Sequence, residues 1–184
     1  MSRVAQDNDN YMTKRQLAMD LAYVLKSKLR DGTKHAVLKR TTWVWTEFHG
    51  KYRGCPYWSA AAIKAFAKNK KVSLRHEHAV PRQVVVNMLR KLKRKSVREV
   101  YSICDTFLIG VVVTRDEDRR LNAAFNDSMP REFDDDTNSD YRNPWLRYQR
   151  CGIEVVCRCR DLATASHLKF FTGTFEDATG DIRR

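Results

Sequence analysis

Apolar residues recur at helical spacing along the first third of the chain and at strand spacing through its middle. Leu17, Leu21, Val24, Leu25 and Leu29 form one stripe of a helix that Thr13 can cap. The pattern predicts a helix from 13 to 30, apolar on one face and basic on the other, stopped by Asp31 and Gly32. The polar residues 1–12 precede it as a flexible tail. Residues 35–71 predict two further helices joined by the turn GKYRGCPYW, with Ser59 capping the second, AAAIKAFAK.

From residue 72 the period changes. VSLRHEH alternates like a strand, and RQVVVNMLRKLKRK behind Pro81 returns to helical spacing. FLIGVVVT is a β-branched apolar run of strand length, and Thr114 caps the helix RDEDRRLNAAF, whose acidic first turn suits the helix dipole. Residues 126–144 read as a polar surface loop. A short helix at PWLRYQR, a strand at GIEVVCR and a closing helix around LATASHLKFF complete the chain.

These elements predict an α+β fold: a helix-rich N-terminal part followed by a small sheet with packed helices. Residues 13–184 form one domain, with 13–70 helical and 71–184 α+β. The order strand-helix-helix-strand-helix from Val72 to Phe125 is its expected centre. At 184 residues the chain can bury a substantial core.

Charge changes the picture more than size does. Thirty-five Lys and Arg against 22 Asp and Glu give a net charge of +13, which attracts polyanions. DNA or RNA is the leading partner class, and an acidic protein satisfies the same arithmetic. The densest basic run, Arg90, Lys91, Lys93, Arg94 and Lys95 with Arg98 one turn on, suits phosphate contacts that carry no sequence information. Cations at a solvated helix end are the structural alternative. No apolar run approaches the ~20 residues of a membrane span, and the polar start lacks the apolar core of a secretion signal. The expected location is the cytoplasm, in line with an odd count of five cysteines.

The aromatics Trp43, Trp45, Phe48, Tyr52, Tyr57 and Trp58 lie beside Lys51 and Arg53, where they can either stack unpaired bases or fill a core. The cluster CGIEVVCRC lacks paired C-x-x-C units and reads as thiols on a partly buried strand. Glycine-rich phosphate loops are absent, and HEH does not have the i, i+4 histidine spacing of metalloprotease helices.

The sharpest candidate chemistry is LRHEHAVPR, residues 74–82. A carboxylate and an imidazole in adjacent positions can supply a metal ligand and a base. Glu77 and His78 point to opposite sides of an ideal strand, so they can share a site only where the strand ends. Arg82 has the planar fork that matches two phosphate oxygens. The structural alternative puts His76 and His78 on one strand face as hydrogen-bonding residues, with Glu77 paired to Arg75 or Arg82.

Glu77-His78-Ala79-Val80-Pro81 resembles the first-strand element of the HNH, or ββα-metal, nucleases, an acidic residue followed by histidine in a pattern like D-H-I-I-P. The resemblance implies a degenerate ββα-metal core. GVVVT would be its second strand and RDEDRRLN its helix, with more than a helix inserted between the halves. It implies Glu77 and Asp118 as ligands for Mg2+ or Mn2+ with His76 beside them, and His78 as general base with Arg82 assisting. The expectation is a nucleic-acid-binding protein acting as a metal-dependent, HNH-like nuclease. The alternative is a non-catalytic phage or mobile-element regulator that binds nucleic acid or an acidic protein through its basic surface.

Overall fold

The computed structural model describes residues 13–52, 54–158 and 166–175. The predicted tail, Arg53, Cys159 and the first part of the expected closing helix lie outside the described residues. The fold is α+β, with seven α-helices and a five-stranded mixed sheet among the described residues.

Helix α1 spans Lys14–Lys26, and Thr13 Oγ1 accepts from the Gln16 N–H at 3.2 Å to satisfy an otherwise orphaned first-turn donor. It ends earlier than the pattern predicts, and Leu29 is exposed. Asp31 and Gly32 open α2, Asp31–Thr46, rather than stop α1. An aspartate in a first turn favours the positive end of the helix dipole, so the same residue can be read as a start or a stop.

The linker after α2 departs furthest from expectation. Tyr57–Ser59 forms strand β1 immediately before α3, Ala60–Lys68. The sheet order is β2, β3, β1, β4, β5, where β2 is Leu74–His78, β3 Gly110–Thr114, β4 Val155–Cys157 and β5 Thr174–Phe175. The N-terminal part therefore contributes the central strand, and residues 13–70 are not purely helical. β1 pairs parallel with β3 and antiparallel with β4.

Between β2 and β3 the chain forms α4, Arg82–Lys91, and α5, Val97–Phe107. After β3 comes α6, Arg115–Phe125, and later α7, Leu146–Arg150. The expected strand-helix-helix-strand-helix order holds. Capping boxes open α5 (Ser96 with Glu99) and α6 (Thr114 with Glu117), each satisfying two orphan donors reciprocally.

Among the described residues, three apolar clusters hold these pieces together. The largest fills a bundle of α1, α2, α4 and α5 around Leu17, Leu21, Trp45, Val85, Leu89 and Cys104. The second lies where α6 and α7 cover one sheet face, with Val111, Val113, Leu121, Trp145 and Tyr148. The third fills the opposite face beneath α3, with Trp58, Ala62, Leu74 and Val112. Trp45, Tyr57 and Trp58 are thus core residues, as the burial reading of the aromatics expected.

The bundle runs up and down. Lys14, at the start of α1, lies against Asp105 near the end of α5 and 5.3 Å from the Trp45 ring near the end of α2. Asp31, at the start of α2, meets Arg90 at the end of α4 at 3.7 Å. One end of the bundle therefore abuts the sheet, and the other carries the α1–α2 and α4–α5 connections.

Candidate functional site

β2 is an edge strand, and its residues alternate between two environments. Register pairs Leu74, His76 and His78 with Thr114, Val112 and Gly110 on one face, and Arg75 and Glu77 with Val113 and Val111 on the other. The bundle reaches the first face through the end of α2; α6 and α7 cover the second.

The His76 side chain is fully buried, and its Nδ1 lies 3.5 Å from Oε1 of Glu47, a buried carboxylate at the C-cap of α2. The ring presses on the backbone of Gly110, where a Cβ would fall 2.2 Å from Nε2. Glycine is required here by close approach. Burial, with His78 and Lys51 nearby adding to it, pushes the His76 imidazole down to about 3. The ring is therefore neutral at pH 7, so its contact with Glu47 is a polar one rather than an ion pair.

His78 is the last residue of β2, where the pleat ends, and Glu77 and His78 do approach one another there. His78 Nδ1 lies 3.7 Å from Glu77 Oε2, and its Nε2 lies 3.2 Å from the Thr46 hydroxyl. The His76 and His78 rings meet edge to face at 5.7 Å. The two histidines share one face, as the structural alternative expected, but only His78 is hydrogen-bonded there; neither ring nitrogen of His76 has a hydrogen-bond partner among the described residues.

Glu77 is not paired to Arg75 or Arg82. Its Oε1 accepts from Arg147 at 3.3 Å, and its Oε2 accepts from the His78 backbone N–H at 2.8 Å. Burial works against this carboxylate, but its contacts with His78 and the Arg147 guanidinium prevail and hold it below its usual range. Arg147, itself buried in α7, also donates to the His78 carbonyl at 3.3 Å and the Asn126 carbonyl at 3.1 Å.

The edge of β2 explains this arrangement. The Ala79 N–H bonds to the Ile109 carbonyl, so the backbone groups of Leu74, His76 and His78 face away from β3. Tyr52 Oη donates to the Leu74 carbonyl, Glu77 takes the His78 N–H and Arg147 takes the His78 carbonyl. Side chains thus blunt an edge that would otherwise be open to strand addition.

Asp118 lies in α6 on the Glu77 side of the sheet, 3.9 Å from Arg75 and accepting from Asn122. The expected ligand set is therefore split: His76 is on the opposite face from Asp118, and both Glu77 oxygens are engaged. Among the described residues no three His, Cys, Asp or Glu side chains gather in a way that could hold a metal ion. Glu77, Asp118 and His76 as arranged do not fit the metal that the resemblance implies. Arg82 is half-buried, donates to the Lys39 carbonyl at 3.1 Å and feels Glu47 and Glu77.

Sequence reasoning missed Glu47 and Arg147. Nothing in its local pattern marks Glu47. Arg147 carries a signal, a cation set between the apolar Trp145 and Leu146 on one side and Tyr148 on the other.

The basic run stands elsewhere. α4 begins at Arg82 beside the His/Glu cluster and ends at Lys91, about 14 Å away at 1.5 Å per residue. The helix stops there, so Lys93, Arg94 and Lys95 lie in the α4–α5 connection and Arg98 in the first turn of α5. Arg90, Lys91, Lys93, Arg94 and Arg98 are exposed and Lys95 is half-buried. Only Arg90 of these six makes an ion pair among the described residues. No described helix is long and apolar enough to cross a membrane. No protein-family model, curated protein or solved structure matches the chain.

Proposed function

We propose that the protein binds nucleic acid through its phosphate backbone, using the α4–α5 connection. The observation that carries this reading is a basic run in which Lys91, Lys93, Arg94 and Arg98 are exposed and make no ion pair among the described residues, on a chain of net charge +13. Like charges gathered at one surface set up a field that attracts polyanions, and each phosphate they neutralise releases counterions. An acidic protein is the competing partner class.

A second reading, hydrolysis by an HNH-like centre with Mg2+ or Mn2+, is favoured by one feature. β2 and β3 pair antiparallel and α6 packs on both, a strand-strand-helix unit, with Glu77 and His78 meeting at the strand end. The split of the expected ligands weighs against it. The decisive experiment presents plasmid, single-stranded DNA and RNA to the wild type and to His78→Ala, with magnesium, manganese or chelator. Salt-sensitive shifts without cutting support the binding reading. Metal-dependent cutting lost in His78→Ala supports the nuclease, and fixed-stoichiometry capture of an acidic protein without nucleic-acid shifts would replace both.

A further inference from the structure

We infer that the phosphate-gripping surface is bipartite: the α1–α2 connection, through Lys26, Lys28 and Arg30, completes the surface formed by the α4–α5 connection. The inference rests on the nucleic-acid reading above and adds residues that the basic run in the sequence does not include.

The argument is topological. α1 packs on α2 and α5, and α4 packs on α2 and α5. Because these neighbours alternate in direction, the end of α1, the start of α2, the end of α4 and the start of α5 share one end of the bundle. The Arg90–Asp31 pair, Nη2 to Oδ2 at 3.7 Å, ties the two connections together directly. Packed helix axes lie about 8–10 Å apart, so two connections at one end sit side by side.

Their charge is one-sided. Residues 26–34 and 90–98 together hold ten cations: Lys26, Lys28, Arg30 and Lys34, then the six of the basic run. One carboxylate, Asp31, stands among them. Lys26, Lys28 and Arg30 are exposed. The opposite end of the bundle meets the sheet through the end of α2, and these two connections lie at the end away from it.

A regular polyanion is the occupant that fits. Two adjacent basic segments offer charge in two rows, matching successive phosphates along a backbone better than an isolated anion. The N-terminus of α5 is already occupied by the Glu99 carboxylate of its capping box, which leaves phosphate binding to side chains. The Trp45 and Trp58 rings are buried, so they offer no stacking platform for bases. Binding should therefore be insensitive to sequence.

The test is fluorescence anisotropy with labelled random-sequence duplex DNA, single-stranded DNA and RNA over a range of salt. The wild type is compared with Lys28→Glu/Arg30→Glu and with Arg94→Glu/Lys95→Glu. A charge-matched control, Lys64→Glu/Lys68→Glu, alters exposed residues of α3, which packs on the sheet. Each connection's double reversal should weaken binding by on the order of ten-fold or more and flatten the log–log salt slope by roughly 2, about 0.9 for each phosphate no longer neutralised. The control should do neither, and matching thermal melts establish that all variants fold. If Lys28→Glu/Arg30→Glu behaves like the control while Arg94→Glu/Lys95→Glu abolishes binding, the bipartite surface is wrong and the nucleic-acid reading stands. If the wild type binds none of the three probes in a salt-sensitive way, the underlying reading fails and the inference with it.

Discussion

The two ends of the helical bundle use charge in opposite ways. At the sheet end, Glu47, His76, Glu77, His78 and Arg147 are withdrawn from water and joined to one another, to backbone groups or to close neighbours. At the far end, Lys91, Lys93, Arg94 and Arg98 stand in solvent with no ion pair among the described residues. A buried charge must find partners because desolvation costs several kcal/mol per ion. An exposed one need not. The sheet end therefore fixes geometry, and the far end leaves interaction free energy available to a partner.

Breaking the sheet end at its most buried cation should have the largest effect. Arg147→Ala strands Glu77 beside an emptied site and uncovers the edge of β2, and removal of one partner from a buried pair typically costs about 3–5 kcal/mol. Urea denaturation should show that loss; a midpoint near wild type would mean that Glu77 finds water or another donor.

The next effect is a dependence on pH. His76 is held down to about 3 in the folded state, below its unfolded value of about 6.5. Between these values the unfolded chain binds a proton that the folded chain does not. Stability must therefore fall as pH drops from about 6.5 towards 3, by roughly a kcal/mol per pH unit. Glu77, also lowered, acts in the same direction: its contribution is present above its unfolded value and is lost as pH falls through its folded one. Unfolding curves across this range should be less steep in pH for His76→Gln, and an unchanged slope would remove His76 as its source.

Gly110→Ala sharpens the same picture by sterics alone. The new Cβ would collide with His76, and overpacking of this kind costs about 1–3 kcal/mol. Combined with His76→Ala, the penalty should be less than the sum of the two single changes, because the collision disappears with the ring. An additive double variant would show that the two residues do not touch in solution.

The smallest effect belongs to the far end. Lys93→Glu or Arg94→Glu should move stability by no more than about 0.5 kcal/mol, as for surface positions without partners. A larger loss in denaturation would show that these cations support the fold, and the contrast between the two ends would weaken.

Much of the fold was legible along the chain because local physics sets it. Thr13, Ser59 and Thr114 cap the helices that their positions predicted, and the apolar run after Phe107 yields the strand GVVVT. β1 was not legible. Three residues give too little alternation to register a strand, and its partners Val111, Val112 and Val155–Cys157 lie about 50 to 100 positions away. The His/Glu cluster was legible as a motif and as a strand end. Its partners were not, because Arg147 comes from 70 residues beyond Glu77 and Thr46 from 32 residues before His78.

By itself, the sequence determined the α+β order of elements, most helix starts, the excess of positive charge and the place of Glu77 and His78 at the end of a strand. Periodicity, capping and composition are local, and neighbouring residues suffice to express them. Only the tertiary structure decided which charges are buried and with whom, that Asp118 and His76 lie on opposite faces of the sheet, and that two basic connections meet at one end of the bundle. Desolvation and ion pairing depend on distances through space, and for these residues the chain sets those distances only once the sheet and the bundle have closed.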